Sequence, residues 1–143
     1  MRLRLPFLLS LASFAIILNS CNKIDLSPDY SGIYKVSMVE EVYKNGKLIG
    51  QKESTGNLEV THGTNQKTVK LHIFKDDKGM PIEMKIKLGL FSYNTTSQTG
   101  DCKVDEDING QFDGTLLECT YKGNQKCPNE EISIVDKIRG FKN

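Results

Sequence analysis

Cys102, Cys119 and Cys127 lie in the last third of the chain and could form a disulfide bond. Three thiols in an oxidising compartment allow one bridge and leave one thiol over. Cys119 shares a face of a predicted strand with Leu117 and Tyr121, which favours a buried free thiol. Cys102 and Cys127 border predicted loops, so we expect the Cys102–Cys127 bond. The predicted strands place the two residues two strands apart, about 9–10 Å, so loop curvature must bring their Cα atoms within roughly 7 Å. Cys102–Cys119 and Cys119–Cys127 remain alternatives.

The acidic segment 101–113 carries oxygen-bearing side chains at alternate positions. The start of an EF-hand calcium loop is similar to the set Asp105, Asp107, Asn109, Gly110 and Asp113. The twelfth position of such a loop supplies a bidentate Glu, but here it is Leu116. We therefore predict no metal site, and instead a solvated hairpin that turns at Asn109-Gly110.

The sequence shows no convincing catalytic set. His62 and His72 are the only histidines, and His72 falls on the solvated face of its predicted strand. No nucleophile elbow and no glycine-rich phosphate loop is present. We therefore predict that the protein is not an enzyme and needs no cofactor.

Residues 1–20 have the pattern of a secretory signal. Arg2 and Arg4 precede an apolar run from Leu5 to Leu18, and small residues follow it. The run is shorter than the roughly 20 residues that a membrane-spanning helix needs. This pattern predicts export from the cytoplasm, where disulfide bonds persist.

The end of this signal resembles the lipobox of bacterial lipoproteins. The residues are Leu18-Asn19-Ser20-Cys21, and Asn19 departs from the strict pattern in the way that spirochaete lipoboxes do. The resemblance implies that Cys21 is acylated with chains such as palmitate and that residues 21–31 form a lipidated tether. Asn22 stands where an Asp would imply the inner membrane, so the resemblance implies the outer membrane and a cell-envelope location.

Composition favours one small domain without a nucleic-acid partner. Without residues 1–20, the chain has 17 basic and 18 acidic residues, and nucleic-acid binding requires a clearly basic face. The remaining length suits a single domain, which we place at residues 32–143.

From Gly32 onward, apolar and polar residues alternate with period two, which predicts strands. Turn signals lie at Asn45-Gly46, at 62–66, at 76–79 and from Lys122 to Pro128, and 92–101 reads as a polar loop. The predicted core contains Val36, Leu71, Ile73, Met84, Ile86 and Leu88. We therefore predict an all-β fold: a single antiparallel meander that closes into a small barrel, with a β-sandwich as the alternative.

The domain also resembles lipocalins at two points. Gly32-Ile33-Tyr34 opens the first strand as a Gly-x-Trp motif does in that family, and Arg139 lies near the C-terminus. The resemblance implies a lipocalin-like barrel in which Arg139 packs over the Tyr34 ring.

Two functions remain open. Bulky inward residues, among them Met38 and Met84, favour a filled barrel and hence a non-catalytic protein-interaction module with an unidentified protein partner. The alternative is a lipocalin-like carrier of a small apolar ligand, which would require a cavity of roughly several hundred Å³.

Overall fold

The computed structural model describes residues 28–76 and 78–143 and contains eight strands. They are β1 (Gly32–Lys44), β2 (Lys47–His62), β3 (Thr68–Lys75), β4 (Pro81–Lys87), β5 (Leu90–Thr99), β6 (Cys102–Asp113), β7 (Leu116–Cys127) and β8 (Glu130–Lys142). The predicted signal, Cys21 and most of the tether lie outside the described residues. Within the described ranges, no helix is long and apolar enough to cross a membrane.

Each strand pairs antiparallel with the next, and β8 pairs with β1 to close a barrel. This confirms the all-β meander and the closed barrel, and excludes the β-sandwich. Closure supplies each of the eight strands with two partners from residues 32–142. A chain that begins at residue 22 therefore contains the whole barrel.

The meander gives the barrel two different ends. The proximal end contains Pro28, the turns at 63–67, 88–89 and 114–115, and the C-terminus. The distal end contains the turns at 45–46, 100–101 and 128–129, together with the segment between β3 and β4. The described chain therefore enters the barrel at the proximal end, and the distal end lies on the opposite side.

The proximal half of the barrel is filled by apolar side chains. The largest fully buried residues are Tyr34, Leu71, Met84, Ile108, Leu117, Val60 and Val69. Phe112 packs against Tyr30 at a centroid distance of 4.6 Å and against Phe91 at 5.2 Å. Of the predicted core, Leu71 and Met84 are confirmed as buried, while Val36 and Ile86 are partly buried and pack against the core. Met38, predicted to point inward, also packs against the core.

The distal half is open on one side because β3 and β4 are short. β2 pairs with β3 only through Val60–His62, and β4 pairs with β5 only at Lys85–Lys87. Beyond these points the described part of β2 has β1 as its only partner. The other six strands continue and form a curved sheet, whose concave inner face we call the distal trough.

Ile73 and Leu88 are exceptions to the predicted core. The β3–β4 register shifts between Lys70 and Lys75, so Phe74 is buried in place of Ile73, which is 41% exposed. Leu88 is 93% exposed, because the predicted strand through it ends in a turn at Leu88-Gly89.

The Leu88-Gly89 turn has the conformation of the Asn45-Gly46 turn. The φ angles are 53° and 80° in the former and 49° and 76° in the latter. Asn and Gly tolerate the left-handed region, whereas a residue such as Leu loses roughly 1 kcal/mol there. Asn45-Gly46 was predicted as a hairpin, and that prediction is confirmed.

Three predicted loops are strands instead. The polar segment 92–101 belongs mostly to β5, and the turn predicted from Lys122 to Pro128 is largely β7. Asn109-Gly110 lies inside β6, and the chain turns later, at Gly114-Thr115. Gly110 lets the Phe91 ring pack directly on the β6 backbone, since a Cβ at this position would collide with the ring. These strands carry polar residues on the outer face and also within the trough. The alternation of apolar and polar residues that would mark them as strands is therefore missing.

Candidate functional site

A cleft of about 200 Å³ opens in the distal trough, where the short β3–β4 hairpin leaves the inner face uncovered. Its walls combine apolar, aromatic and charged side chains: Ile73, Phe74, Lys75, Ile82, Tyr93, Glu106, Ile108, Tyr121 and Asp136. Small-molecule sites in proteins commonly occupy roughly 300–1,000 Å³. The cleft therefore suits a small group or a single side chain better than a large ligand.

Strand alternation brings three carboxyl groups to the inner face of the distal half. Glu40 has the same parity on β1 as the buried Tyr34, Asp136 the same parity on β8 as Ile138, and Glu106 the same parity on β6 as Ile108. Glu40 and Asp136 are direct cross-strand partners. The inner face of the barrel is thus apolar at the proximal end and carries these three acids, among other side chains, in its distal half.

Asp136 is the least satisfied of these acids. Its side chain as a whole is only partly buried, but Oδ1 has no contact with solvent and no hydrogen-bond partner among the described residues. Burial, and then the charge of Glu40, raise the pKa of the Asp136 carboxyl. A buried polar atom without a partner is costly, so the cleft wall presents an acceptor that lacks a donor.

Tyr121 links the acids to the aromatic wall. Its hydroxyl donates to Glu106 Oε1 at 3.0 Å, and its ring stacks on Phe74 at a centroid distance of 5.8 Å. Burial, followed by the Glu106 contact, raises the pKa of Tyr121 to about 12. A Cβ at Gly123 would lie 2.6 Å from the Tyr121 hydroxyl, so glycine leaves room for this arrangement.

Sequence reasoning missed this acidic set, although a signal for it was present. Glu40 continues the inward series of Tyr34, Val36 and Met38 on β1. Asp136 likewise stands between Ile134 and Ile138. Acids at inward positions of an apolar series mark a polar pocket in the core, and a search for apolar alternation alone passes over them.

The calcium-loop resemblance does not correspond to a loop. Asp105, Asp107, Asn109 and Asp113 are spaced along β6 over roughly 27 Å, at about 3.4 Å per residue. Asp105 already accepts from Thr96 Oγ1 at 2.6 Å and from Lys103 Nζ at 2.8 Å. In the described ranges, no group of three or more His, Cys, Asp or Glu residues could hold a metal ion.

The two histidines lie apart from the cleft and from each other. His62 Nε2 is 2.9 Å from Asp29 Oδ1 at the proximal end. His72 Nε2 is 2.9 Å from Thr61 Oγ1 on the outer face of the barrel. The other ring nitrogen of His72, Nδ1, lies 3.6 Å from Glu59 Oε2 on the same outer face.

The Cys102–Cys127 disulfide bond is confirmed, with a Cα–Cα distance of 4.2 Å. The predicted separation of two strands was wrong: because the turn lies at Gly114-Thr115, β6 and β7 are neighbours and their ends meet. Cys119 is a buried free thiol, as expected. Burial, and then Asp136, raise the pKa of its thiol to about 12, so it stays protonated and unreactive at neutral pH.

The lipocalin-like contact between Tyr34 and Arg139 is absent. Tyr34 points into the barrel, is fully buried and donates from its hydroxyl to the Tyr30 carbonyl at 2.9 Å. Arg139 has the opposite orientation on β8 and contacts Glu118 on the outer surface at 3.3 Å. The parity of β8 places position 139 outside, so this part of the expectation was wrong.

Comparisons with known proteins add no assignment to this geometry. The chain matches no known protein family, no curated protein and no solved structure.

Proposed function

We propose that this protein is an envelope lipoprotein, held at the outer membrane by acylated Cys21, whose distal trough acts as a non-catalytic protein-interaction module. The observation that carries the proposal is Asp136 Oδ1, a buried acceptor without a donor in the wall of an open cleft. A donor supplied by a partner would remove this deficit.

A basic side chain of a protein partner fits the chemistry of the cleft. Glu106 and Asp136 bring negative charge to the cleft lining, with Glu40 directly opposite Asp136 on β1, and Lys75 brings one positive charge. Ile73 and Phe74 form an apolar wall of the same cleft. Lys and Arg have apolar stems and charged ends that donate hydrogen bonds. A Lys or Arg from a partner could therefore place its stem along the apolar wall and its head against Asp136.

The alternative is a carrier of a small apolar ligand. The apolar lining of the cleft favours it to some extent, but its volume of about 200 Å³ lies below the usual range for such sites. An apolar ligand would also leave Asp136 Oδ1 without a donor, at a desolvation cost. We therefore favour the basic side chain.

The proposal can be tested by NMR titration of isotope-labelled 22–143 with butylguanidinium, a mimic of the Arg side chain. We expect shifts at Tyr121, Glu106 and Asp136 that saturate, and their loss in Asp136→Asn. Asp113→Asn, which removes an exposed acid at the proximal end, is the matched control and should retain the shifts.

Two results would contradict the proposal. One is an equal response of the wild type and Asp136→Asn to butylguanidinium. The other is saturable binding of an apolar probe such as 1-octanol at the same residues without any response to the cation, which would favour the carrier.

A further inference from the structure

The chain enters the barrel at the proximal end, and contacts hold the entry point in place. Tyr30 stacks on Phe112, and Asp29 Oδ1 lies 2.9 Å from His62 Nε2. Asp29 and Tyr30, where the described chain begins, are therefore held at this end of the barrel. Cys21 lies eight residues before Asp29, a span of at most about 28 Å. An anchor at Cys21 would keep the proximal end within reach of the bilayer.

Leu88 projects from the same end, beside the entry of the chain. The Tyr30 hydroxyl lies 3.6 Å from the position that a Cβ on Gly89 would occupy. Phe112 N donates to the Gly89 carbonyl at 2.8 Å, which fixes the turn on the barrel. The Leu88 side chain is 93% exposed, so it points away from the core at the end where the chain enters.

The choice of leucine at this turn has no explanation within the fold. Asn45 occupies the equivalent position of the distal turn with nearly the same φ, and Asn is a residue that this conformation favours. The backbone of Leu88 adopts an unfavourable conformation, and its side chain is exposed to solvent. A contact of this side chain with an apolar surface outside the barrel would explain the leucine and its exposure.

The depression beside Leu88 is lined by apolar, basic and uncharged polar residues, and the exposed Asp113 at the same end lies outside it. Leu90 is 59% exposed, and Lys85 and Lys87 lie on the exposed outer side of β4. Together with Leu88 they line one surface depression, in which no acidic residue takes part. We call these four residues the proximal patch.

We propose that the proximal patch docks on the anionic surface of the membrane to which the protein is tethered. Leu88 would enter the boundary between headgroups and acyl chains, while Lys85 and Lys87 would contact lipid phosphates. The orientation rests on the proposed anchor, because the anchor brings this end to the bilayer. Docking would direct the distal trough away from the membrane, toward a partner.

The test attaches residues 22–143 to vesicles by a His tag ahead of residue 22 and a nickel-chelating lipid, so that docking is measured independently of acylation. The vesicles contain phosphatidylcholine, phosphatidylglycerol and a nitroxide-labelled lipid. A polarity-sensitive thiol probe is placed on Leu88→Cys or, as the matched control at the distal end, on Leu48→Cys. Cys102 and Cys127 are bonded and Cys119 is buried, so the introduced thiol alone reacts.

We expect nitroxide quenching at position 88 to exceed that at position 48 by at least about twofold, since interfacial apolar residues lie roughly 5–10 Å into the boundary. Emission at position 88 should shift to the blue on vesicles only. Equal quenching at both positions would overturn docking. A blue shift at position 88 without vesicles that grows with protein concentration would also overturn it, in favour of a contact between two copies. Failure of acylation in cells would instead contradict the anchor and leave this result unchanged.

Discussion

Glu40 and Asp136 lie directly opposite each other on β1 and β8, and both side chains face the interior of the barrel. Like charges in this position destabilise a sheet. The destabilising free energy is greatest at Asp136. Burial and the neighbouring Glu40 raise the pKa of its carboxyl, and its Oδ1 has no hydrogen-bond donor among the described residues. The fold thus tolerates an unfavourable pair at the candidate site.

Asp136→Asn should therefore stabilise the protein at neutral pH. The pKa of Asp136 is raised in the folded state above its unfolded value of 3.8, so the folded state binds the proton more tightly. The destabilisation is present above the folded-state pKa and is lost as pH falls through it toward 3.8. We expect a higher Tm for Asp136→Asn at pH 7 and a smaller difference near pH 4. Asp113→Asn, in thermal unfolding at both pH values, should show neither effect.

Leu71→Ala and Ile73→Ala test the shifted β3–β4 register. Leu71 is fully buried whereas Ile73 is 41% exposed. Truncating a buried Leu removes transfer energy and leaves a cavity, so Leu71→Ala should cost roughly 2–5 kcal/mol. Ile73→Ala should cost less than half as much. Equal losses in urea unfolding would contradict the inward position of Phe74.

Removing the disulfide bond should destabilise the barrel through the unfolded state. The bond closes a segment with a sequence separation of 25, for which chain entropy predicts about 3.5 kcal/mol. We expect a loss of this order in the Cys102→Ser, Cys127→Ser double variant, measured by urea unfolding. Addition of reductant should lower the stability of the wild type and leave the double variant unchanged. Non-reducing peptide mapping that finds Cys119 in a bridge would contradict the assignment.

Exchanging the residues of the two turns should change stability in opposite directions. Leu88→Asn places a favoured residue in the left-handed region and should stabilise by about 1 kcal/mol, while Asn45→Leu should destabilise by a similar amount. Chemical unfolding of both variants provides the measurement. If Leu88→Asn were destabilising, Leu88 would make a contact within the barrel.

Cys21→Ser should abolish acylation. Because the thiol is the acceptor of the lipid, the variant should take up no label from cells fed with a palmitate analogue, whereas the wild type should be labelled. Cys119→Ser is the control, since that thiol is buried in the barrel. Equal labelling of wild type and Cys21→Ser would rule out the anchor.

The alternation of side chains was sufficient to predict the strands and the closed meander, because the inward series on β1 and β8 is long, whereas on β3 the register shift broke the alternation and misplaced Ile73. Alternation could not place the turns where polar residues line both faces, as in β5 and β6. Leu88 has the apolar character of a core residue, and only the turn at Gly89 shows that it lies outside. The cleft depends on the small overlap between β2 and β3, a long-range property that a local pattern does not contain.

That small overlap also leaves two free strand edges on the protein. Along residues 47–59 of β2 and 93–99 of β5, one side of the backbone has no partner strand within the described chain. Such rows of N–H and C=O groups can recruit strands from other molecules and start aggregation. β2 carries Lys47, Lys52, Glu53 and Glu59 along this stretch, with Gly50 and Gly56 between them, whereas residues 93–99 of β5 carry no charge. Charged side chains discourage strand addition, so of the two open edges β5 is the one that can still accept a strand from another molecule.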